Sequence, residues 1–497
     1  MIEKTKGKSF SYCYIDIFQR RRINFKLTRT SNGNKNSKNN LHAQLAQIPS
    51  VEEVLQQKEL LFLSQQYSRR MITPLVRVVL QEERKNIQSG APPSSFLEIV
   101  ARCVALIQKE YQSFIRPVIN GTGVILHTNL GRASLGEELL QESLPLLSGF
   151  CNLEYDLCQG KRGKRGDFVE RMLAVFSQSE GSLIVNNNAA AVFLILKVLA
   201  KGKEVIISRG ELVQIGGGFR IPDILRESGA LLHEVGTTNQ TNLGDYKEAI
   251  NENTALLLKV HQSNFSLTGF TQSVSVKELK TLGKKYKIPV VVDLGSGTFL
   301  PSEQFGLVHE PMVQEMIKSG ADLVSFSADK LLGGPQGGII CGRMEYLNQI
   351  RKDSLYRTFR VGKITLSLLQ TTLLFYLQGR TLQDLPVWKM IASSYQEIKK
   401  RSQSLARSLR KIGIPATCWE GVSLVGGGSL PDKTLPTYLL AIKTEGNIEE
   451  LDRKLRLSNP AILGRIKDNY LLFDPRTIEP QYDKKLVEQI SSAFLQK

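Results

Sequence analysis

Between residues 116 and 375 the sequence alternates short apolar runs with longer runs of helical periodicity. The short runs that predict buried strands are residues 182–185, 205–208, 256–260, 290–293 and 323–327. Helical stretches such as 189–200 and 276–286 lie between them. Because strand–helix–strand units form parallel strand pairs, this pattern predicts a mostly parallel α/β sheet that binds its ligands at the carboxyl ends of the strands.

One lysine, Lys330, stands between the last of these strand patterns and a Gly-Gly-Pro turn. A solvated lysine normally lies among other charges on a polar face. Lys330 instead has Asp329 and Ser327 before it and an apolar pair and glycines after it. These surroundings predict a lysine presented into a pocket, where its amine forms a Schiff base and a hydroxyl such as that of Ser327 holds a phosphate.

A pyridoxal phosphate site also needs an acid at the pyridine nitrogen, and Asp293 is the candidate. It ends a buried apolar run and precedes the Gly-rich residues 294–297. A carboxylate in this position keeps the pyridine nitrogen protonated, so that the ring accepts carbanion electrons. The alternative is a helix-capping aspartate, a common role for Asp after a strand. The nearby strand that ends at Lys330 favours the cofactor role.

The phosphate cradle is predicted at Asn187, Asn188 and Ala189, where a strand turns into a helix. Free N–H groups and the dipole at a helix start bind a dianion. Asn is also a frequent N-cap, so this signal alone is weak. His261, directly after the run 256–260, is a candidate to stack on the cofactor ring or to bond its 3′ oxygen, and a structural histidine is an equally good interpretation.

Arg132, Arg357 and Arg360 form a second group of candidates. Arg357 and Arg360 have the i,i+3 spacing of one helical face just downstream of Lys330, and Arg132 closes a Gly-rich loop. Guanidinium groups in pairs suit a tetrahedral oxyanion. The alternative for the Arg357 and Arg360 pair is a solvated helix face.

The composition of the chain indicates the class of its binding partner and its cellular compartment. The net charge of +18 is clustered, which indicates a polyanion such as nucleic acid as partner, although charge also keeps proteins soluble. No run approaches the ~18 apolar residues of a membrane helix, and the N-terminus has no apolar signal region. The six cysteines are scattered, which predicts free thiols in a reducing cytoplasm without a disulfide or a metal site.

Four segments are predicted along the chain. Residues 1–45 are basic and Asn-rich, which predicts a disordered extension. Residues 46–115 carry capping-box spacings at Ser50/Glu53 and Ser95/Glu98, which predict a small helical domain. Residues 116–375 form the large α/β domain, and residues 376–497 a smaller α/β domain.

Several motifs considered together identify a family. They are NGTGVILHTNLGR at 120–132, NLEYD at 152–156, VNNNAAA at 185–191, SRGELV at 208–213, EVGTTN at 234–239, DLGSG at 293–297 and SADKLLGGPQ at 327–336. From about residue 49 to the C-terminus the chain resembles bacterial selenocysteine synthase, the L-seryl-tRNA(Sec) selenium transferase family. Any one motif would be unspecific, whereas the set is highly specific.

The resemblance implies an aspartate-aminotransferase-like fold that binds pyridoxal 5′-phosphate. It implies Lys330 as the cofactor lysine, Asp293 as the pyridine partner, and Arg132, Arg357 and Arg360 around an anion site. The implied reaction converts L-seryl-tRNA(Sec) to L-selenocysteinyl-tRNA(Sec) with selenophosphate, through a cofactor-bound aminoacrylyl intermediate. It further implies an N-terminal domain that binds the tRNA and a homo-oligomeric ring, a decamer built as a pentamer of dimers.

Two other functions remain open at this stage. A pyridoxal phosphate lyase acting on a small amino acid or amino sugar has a similar core but no need for the helical domain at 46–115. The second alternative is a tRNA-binding protein without catalytic activity that retains an enzyme fold. The presence of both Lys330 and Asp293 argues against this alternative.

Overall fold

The computed structural model describes residues 35–215, 218–427, 430 and 433–495. The chain divides into two units, one that ends at Arg116 and one that begins at Pro117. Most of the predicted basic extension, residues 1–34, lies outside the described residues. The predicted boundary between residues 375 and 376 falls inside the second unit and stays a prediction.

The described part of the first unit is helical. Its helices are α1 (Lys35–Ala46), α2 (Val51–Leu55), α3 (Lys58–Tyr67), α4 (Arg69–Gln88) and α5 (Phe96–Gln112). Ser50 with Glu53 and Ser95 with Glu98 form the two predicted capping boxes at the starts of α2 and α5. Buried apolar side chains of α2 to α5 pack into one core.

Residues 35–46 are helical, although their composition predicts disorder. This stretch contains neither glycine nor proline, and Leu41 and Leu45 lie one turn apart, where both are half-buried. The helix packs against α4. Tertiary packing of one short apolar stripe therefore overrides the polar composition in this stretch.

The described part of the second unit contains 17 strands, seven of which form one large sheet. The strands in chain order are β1 (Val118–Asn120), β2 (Tyr155–Asp156), β3 (Lys161–Arg162), β4 (Gly181–Val185), β5 (Glu204–Ser208), β6 (Gln214–Ile215), β7 (Phe219–Arg220), β8 (Leu231–Val235), β9 (Thr254–Val260), β10 (Val290–Gly295), β11 (Leu323–Ser327), β12 (Gly338–Gly342), β13 (Ala416–Leu424), β14 (Thr434–Lys443), β15 (Ala461–Leu463), β16 (Arg465–Lys467) and β17 (Tyr470–Phe473). The large sheet has the order β4-β12-β11-β10-β9-β5-β8. All its strands run parallel except β12, which is antiparallel to both neighbours.

The reversal of β12 has a simple cause. Residues 328–337 connect β11 to β12, and a parallel connection takes about a dozen residues or more because it must cross over the sheet. The short connection therefore returns as a hairpin at the carboxyl end of β11. This hairpin loop carries Lys330, so the sheet topology itself places the lysine at the ligand-binding edge.

Helices cover both faces of the large sheet, which is why its central strands are continuous apolar runs. The helices of the second unit are α6 (Glu137–Ser148), α7 (Asp167–Ser177), α8 (Asn188–Ala200), α9 (Ile221–Ser228), α10 (Leu243–Ala249), α11 (Val276–Tyr286), α12 (Val313–Lys318), α13 (Met344–Lys352), α14 (Ser354–Thr358), α15 (Lys363–Leu377), α16 (Thr381–Asp384), α17 (Pro386–Ala392), α18 (Tyr395–Lys411), α19 (Ile448–Leu457) and α20 (Asp483–Leu495). Helices α7, α11, α12 and α15 pack into the core on one face, and α8, α9 and α13 into the core on the other.

The C-terminal part has its own antiparallel sheet, in the order β13-β14-β17-β16, packed against α18, α19 and α20. The short strand β1 pairs with β15, which ties the start of the second unit to this region. None of the described helices is long and apolar enough to cross a membrane.

Close packing at the start of β12 predicts a sensitive position. A Cβ atom added at Gly338 would lie 2.1 Å from the backbone oxygen of Asn187, so Gly338→Ala must displace that backbone. We expect a loss of about 1–3 kcal/mol of stability and a lower melting temperature by differential scanning fluorimetry. Gly362→Ala is the matched control, because a Cβ there meets no atom within 4 Å. Equal melting temperatures for both variants would contradict this packing.

Candidate active site

Lys330 lies in the hairpin loop between β11 and β12, and only 5% of it is exposed. The loop is held by short backbone hydrogen bonds: Ala328 N–H donates to Gly337 O at 2.8 Å, and Gly334 N–H donates to Ala328 O at 2.9 Å. Gly333 has φ +76°, a conformation that favours glycine. The sequence therefore folds here into a tight, buried turn that presents one amine.

Asp293 lies within β10, whose pairing continues to Gly295, so it does not cap a helix. It pairs in register with Ser325 of β11. The carboxylate is 3% exposed and accepts hydrogen bonds from Asn188 Nδ2 at 2.8 Å and from Ser325 Oγ at 3.3 Å. These two donors fix its orientation at the floor of the site.

The lysine and the aspartate lie in the same buried pocket. A methyl group added at Gly295, at the end of β10, would lie 3.6 Å from Lys330 Nζ. Burial lowers the pKa of the Lys330 amine, while the charge of Asp293 opposes this shift. Burial likewise raises the pKa of the Asp293 carboxyl, and the Asn188 hydrogen bond opposes it. A lysine with a lowered pKa supplies the neutral amine that a carbonyl compound requires.

The predicted cradle lies where β4 ends and α8 begins. Asn187 is the N-cap of α8, and its side chain accepts from Ala190 N–H at 2.9 Å, so the capping interpretation of this residue is correct. Asn188 turns its amide towards Asp293, and Ala189 lies in the first helical turn. The other N–H groups of this turn remain the predicted anion donors.

His261 follows β9 directly, and its backbone N–H donates to Asp293 O at 2.9 Å. This backbone bond joins the end of β9 to Asp293 of β10. Its Nε2 lies 3.4 Å from Oε1 of Glu310. The role of His261 towards a cofactor ring stays a prediction. Ser327 ends β11 and is buried next to the lysine loop, and its contact with the cofactor phosphate stays a prediction.

Arg132 joins the lysine loop through an ion pair. Its Nη1 lies 2.7 Å from Asp329 Oδ2, and Ala133 N–H donates to Asp329 O at 3.1 Å. Arg132 has φ +64°, which is strained for a residue with a side chain. Strain held by an ion pair beside a buried lysine is typical of a functional position.

The prediction that Arg357 and Arg360 share one helical face is wrong. Helix α14 ends at Thr358, and Arg360 instead forms an isolated antiparallel bridge with Val185 at the end of β4. Asn186 N–H donates to Phe359 O at 3.0 Å, which ties this segment to the cradle. Arg360 therefore lies beside the start of α8, whereas Arg357 stays exposed on α14.

The residues present fit pyridoxal phosphate. Asn188 Oδ1 and Ser296 Oγ are buried and lack a hydrogen-bond partner among the described residues. A polar ligand in this pocket would satisfy such atoms. A buried amine, a buried acid and a free helix start thus surround one space. The sequence analysis did not predict Ser325, Ser296 and Glu310 as site residues, because motif spacing does not show these contacts. It predicted Asn188, but at the phosphate rather than as a donor to Asp293.

Comparisons with known proteins show the family of this chain. The family model for L-seryl-tRNA selenium transferase matches residues 118–479, and that for the selenocysteine synthase N-terminal region matches residues 45–84. The chain belongs to the L-seryl-tRNA selenium transferase family. Members of this family depend on pyridoxal phosphate, and the fold is the predicted aspartate-aminotransferase-like one.

Two relatives and one solved structure show how far the similarity extends. The L-seryl-tRNA(Sec) selenium transferase of Carboxydothermus hydrogenoformans is 46% identical and aligns over 90% of this chain and 97% of the relative. The enzyme of the same name from Aquifex aeolicus is 44% identical and aligns over 87% of this chain and 95% of the relative. The structure of a D-glucosaminate-6-phosphate ammonia-lyase is 19% identical, with a TM-score of 0.54 over 78% of this chain and 97% of the other, which shows the shared fold alone.

The hydrogen bond from Asn188 to Asp293 predicts a pH effect. This bond holds the pKa of Asp293 down against burial, so Asn188→Ala raises that pKa further. A carboxylate with a raised pKa takes up its proton at higher pH, so we expect the acid limb of the activity–pH profile to move to higher pH.

The measurement is an activity–pH profile of wild type and variant. Asn251→Ala is the matched control, because Asn251 Nδ2 donates at the same 2.8 Å to the carboxylate of Glu204, which is half-buried rather than buried like Asp293. An unchanged acid limb in Asn188→Ala would contradict the role of this bond.

Proposed function

We propose that this chain converts L-seryl-tRNA(Sec) to L-selenocysteinyl-tRNA(Sec), with selenophosphate as the selenium donor and pyridoxal phosphate as the cofactor. The observation that carries the proposal is the buried Lys330 amine at the carboxyl end of β10, in one pocket with the Asp293 carboxylate. Family membership supplies the substrate class, because the relatives are named for seryl-tRNA(Sec).

The protein residues divide the work at the serine. Bound pyridoxal phosphate supplies an aldehyde for the serine amino group and a ring that accepts electrons when the Cα proton leaves. Lys330 holds the cofactor, and its amine then takes the Cα proton. Asp293 keeps a proton at the pyridine nitrogen, and Asn188 and Ser325 keep Asp293 in place. Burial of these groups excludes water from the reacting carbon.

The serine loses its β-hydroxyl as water, and the selenium of selenophosphate bonds to the same carbon. Water then breaks the Se–P bond, so that phosphate departs and the selenol remains. Arg132, Arg357 and Arg360 are proposed to hold selenophosphate and the released phosphate. Two placements support this assignment: Arg132 is paired with the residue next to Lys330, and Arg360 adjoins the cradle at Val185. Asn187, Ala189 and Ser327 are proposed to hold the cofactor phosphate, and His261 to lie against its ring.

The nucleic-acid side of the proposal rests on charge and on the helical first unit. The net charge of +18 favours binding of the tRNA phosphate backbone, and exposed cations of the β2–β3 hairpin such as Lys161 and Arg162 suit it. We propose that the helical unit binds the tRNA, that the chain acts in the cytoplasm, and that it assembles as a decamer, a pentamer of dimers.

The direct test combines the purified full-length chain with pyridoxal phosphate, seryl-tRNA(Sec) and selenophosphate. We expect selenocysteinyl-tRNA with wild type and none with Lys330→Ala, which also loses the visible absorbance of bound cofactor. Lys285→Ala, an exposed lysine of α11, is the control and keeps both. Turnover of free L-serine without tRNA at the same rate would instead favour a small-molecule lyase.

The arginine assignment predicts a selective defect. The double variant Arg357→Ala/Arg360→Ala loses charge-assisted hydrogen bonds to the anion, so we expect the KM for selenophosphate to rise about tenfold or more, with the cofactor absorbance retained. Arg171→Ala/Arg226→Ala is the control, because both side chains are exposed on helices. A parallel loss of cofactor and selenophosphate binding would show a folding role instead.

A further inference from the structure

Glu310 is a buried acid at the wall of the lysine pocket that the proposed function does not use. It is 2% exposed, and its Oε1 has no hydrogen-bond partner among the described residues. The nearest complementary atom is His261 Nε2, at 3.4 Å, which is also buried and unpartnered there. Burying a carboxylate without a hydrogen bond lowers the stability of the fold, and so does burying an unpaired imidazole nitrogen.

The backbone around Glu310 is anchored on both sides. Its N–H donates to Ser302 Oγ at 2.9 Å, and Ser302 Oγ donates in turn to Val308 O at 2.6 Å. Two residues later, Met312 forms a parallel bridge with Thr298, in the turn that follows β10. The backbone that carries Glu310 is therefore held in place by contacts with Ser302 and with the turn that follows β10, the strand of Asp293.

A proton on His261 Nε2 would satisfy both atoms, since a movement of a few tenths of an ångström brings them within the usual N–H···O distance. In this tautomer Nδ1 carries no proton and is the ring nitrogen that can accept a hydrogen bond from a ligand. The negative charge of Glu310 also raises the pKa of the Lys330 amine, so the carboxylate lies close enough for the lysine to respond to it. The other charged groups around the pocket are Asp293, Arg132 and Asp329.

We propose that Glu310 is a positioning residue that accepts the Nε2 proton of His261 and thereby fixes the imidazole against the bound pyridoxal ring. This inference rests on the proposed function, because it takes His261 as the residue that lies against that ring. Glu310 itself acts through His261 and touches neither substrate nor cofactor.

The test is a double-mutant cycle on the full-length holoenzyme, measured as the rate of cofactor dissociation from its visible absorbance. Glu310→Gln keeps the side-chain volume but removes the charge, so we expect release about tenfold faster, the effect of one lost charge-assisted hydrogen bond. His261→Ala accelerates release as well. In the His261→Ala background, Glu310→Gln adds nothing further, because the group it holds is gone.

A spectroscopic readout separates positioning from folding. Loss of the Glu310 charge lowers the pH at which the absorbance of the Lys330-bound cofactor titrates, since a neighbouring negative charge favours the protonated nitrogen. Glu310→Asp retains the charge and restores most of this titration. Glu303→Gln is the matched control, because Glu303 bonds His309 Nδ1 at 2.6 Å on the exposed side of the same loop.

Additive effects of Glu310→Gln and His261→Ala on cofactor release would overturn the inference, as would wild-type release from Glu310→Gln. These results leave the proposed function intact, since wild type still binds the cofactor through Lys330. Failure of the proposed function has a different signature, namely a wild-type protein that forms no selenocysteinyl-tRNA from seryl-tRNA(Sec) and selenophosphate.

Discussion

The burial of one amine beside one carboxylate, Lys330 and Asp293, is the constraint on which the rest of the site depends. Neither group is stable as an isolated charge inside a protein, so each needs the other or a polar ligand. The surrounding contacts are arranged accordingly: Asn188 and Ser325 hold the carboxylate, and the tight hairpin loop holds the amine. The pocket is thus a polar space inside an otherwise apolar sheet, ready for a charged aromatic cofactor.

The topology explains why these groups meet. The connection from β11 to β12 is too short to cross the sheet, so β12 reverses and inserts between β4 and β11. This insertion brings Gly338 against the backbone of Asn187 and so places the start of α8 beside the lysine loop. One short hairpin thereby joins the start of α8, the predicted phosphate cradle, to Lys330, the predicted Schiff-base lysine, although the two lie far apart in sequence.

The sequence predicted those parts of the fold that follow from local pattern. Strands β4, β5, β9, β10 and β11 are short, mostly apolar runs covered on both faces, and this local composition was sufficient to predict them. Strand β8 is an edge strand with polar His233 and Glu234, so it carried no such signal.

Other features depend on tertiary contacts that no spacing encodes. Arg360 leaves the helix because its segment pairs with Val185, and α1 forms because it can pack on α4. The roles of the predicted site residues stay predictions, but the structure does bring Lys330, Asp293, Asn188 and His261 to one pocket.

Two adjacent asparagines at the start of α8 have different partners. Asn187 caps the helix at the end proposed for the phosphate, and Asn188 donates to Asp293, the acid proposed for the ring nitrogen. Because both asparagines belong to one turn of helix, a substitution that shifts this turn would displace both proposed contacts together.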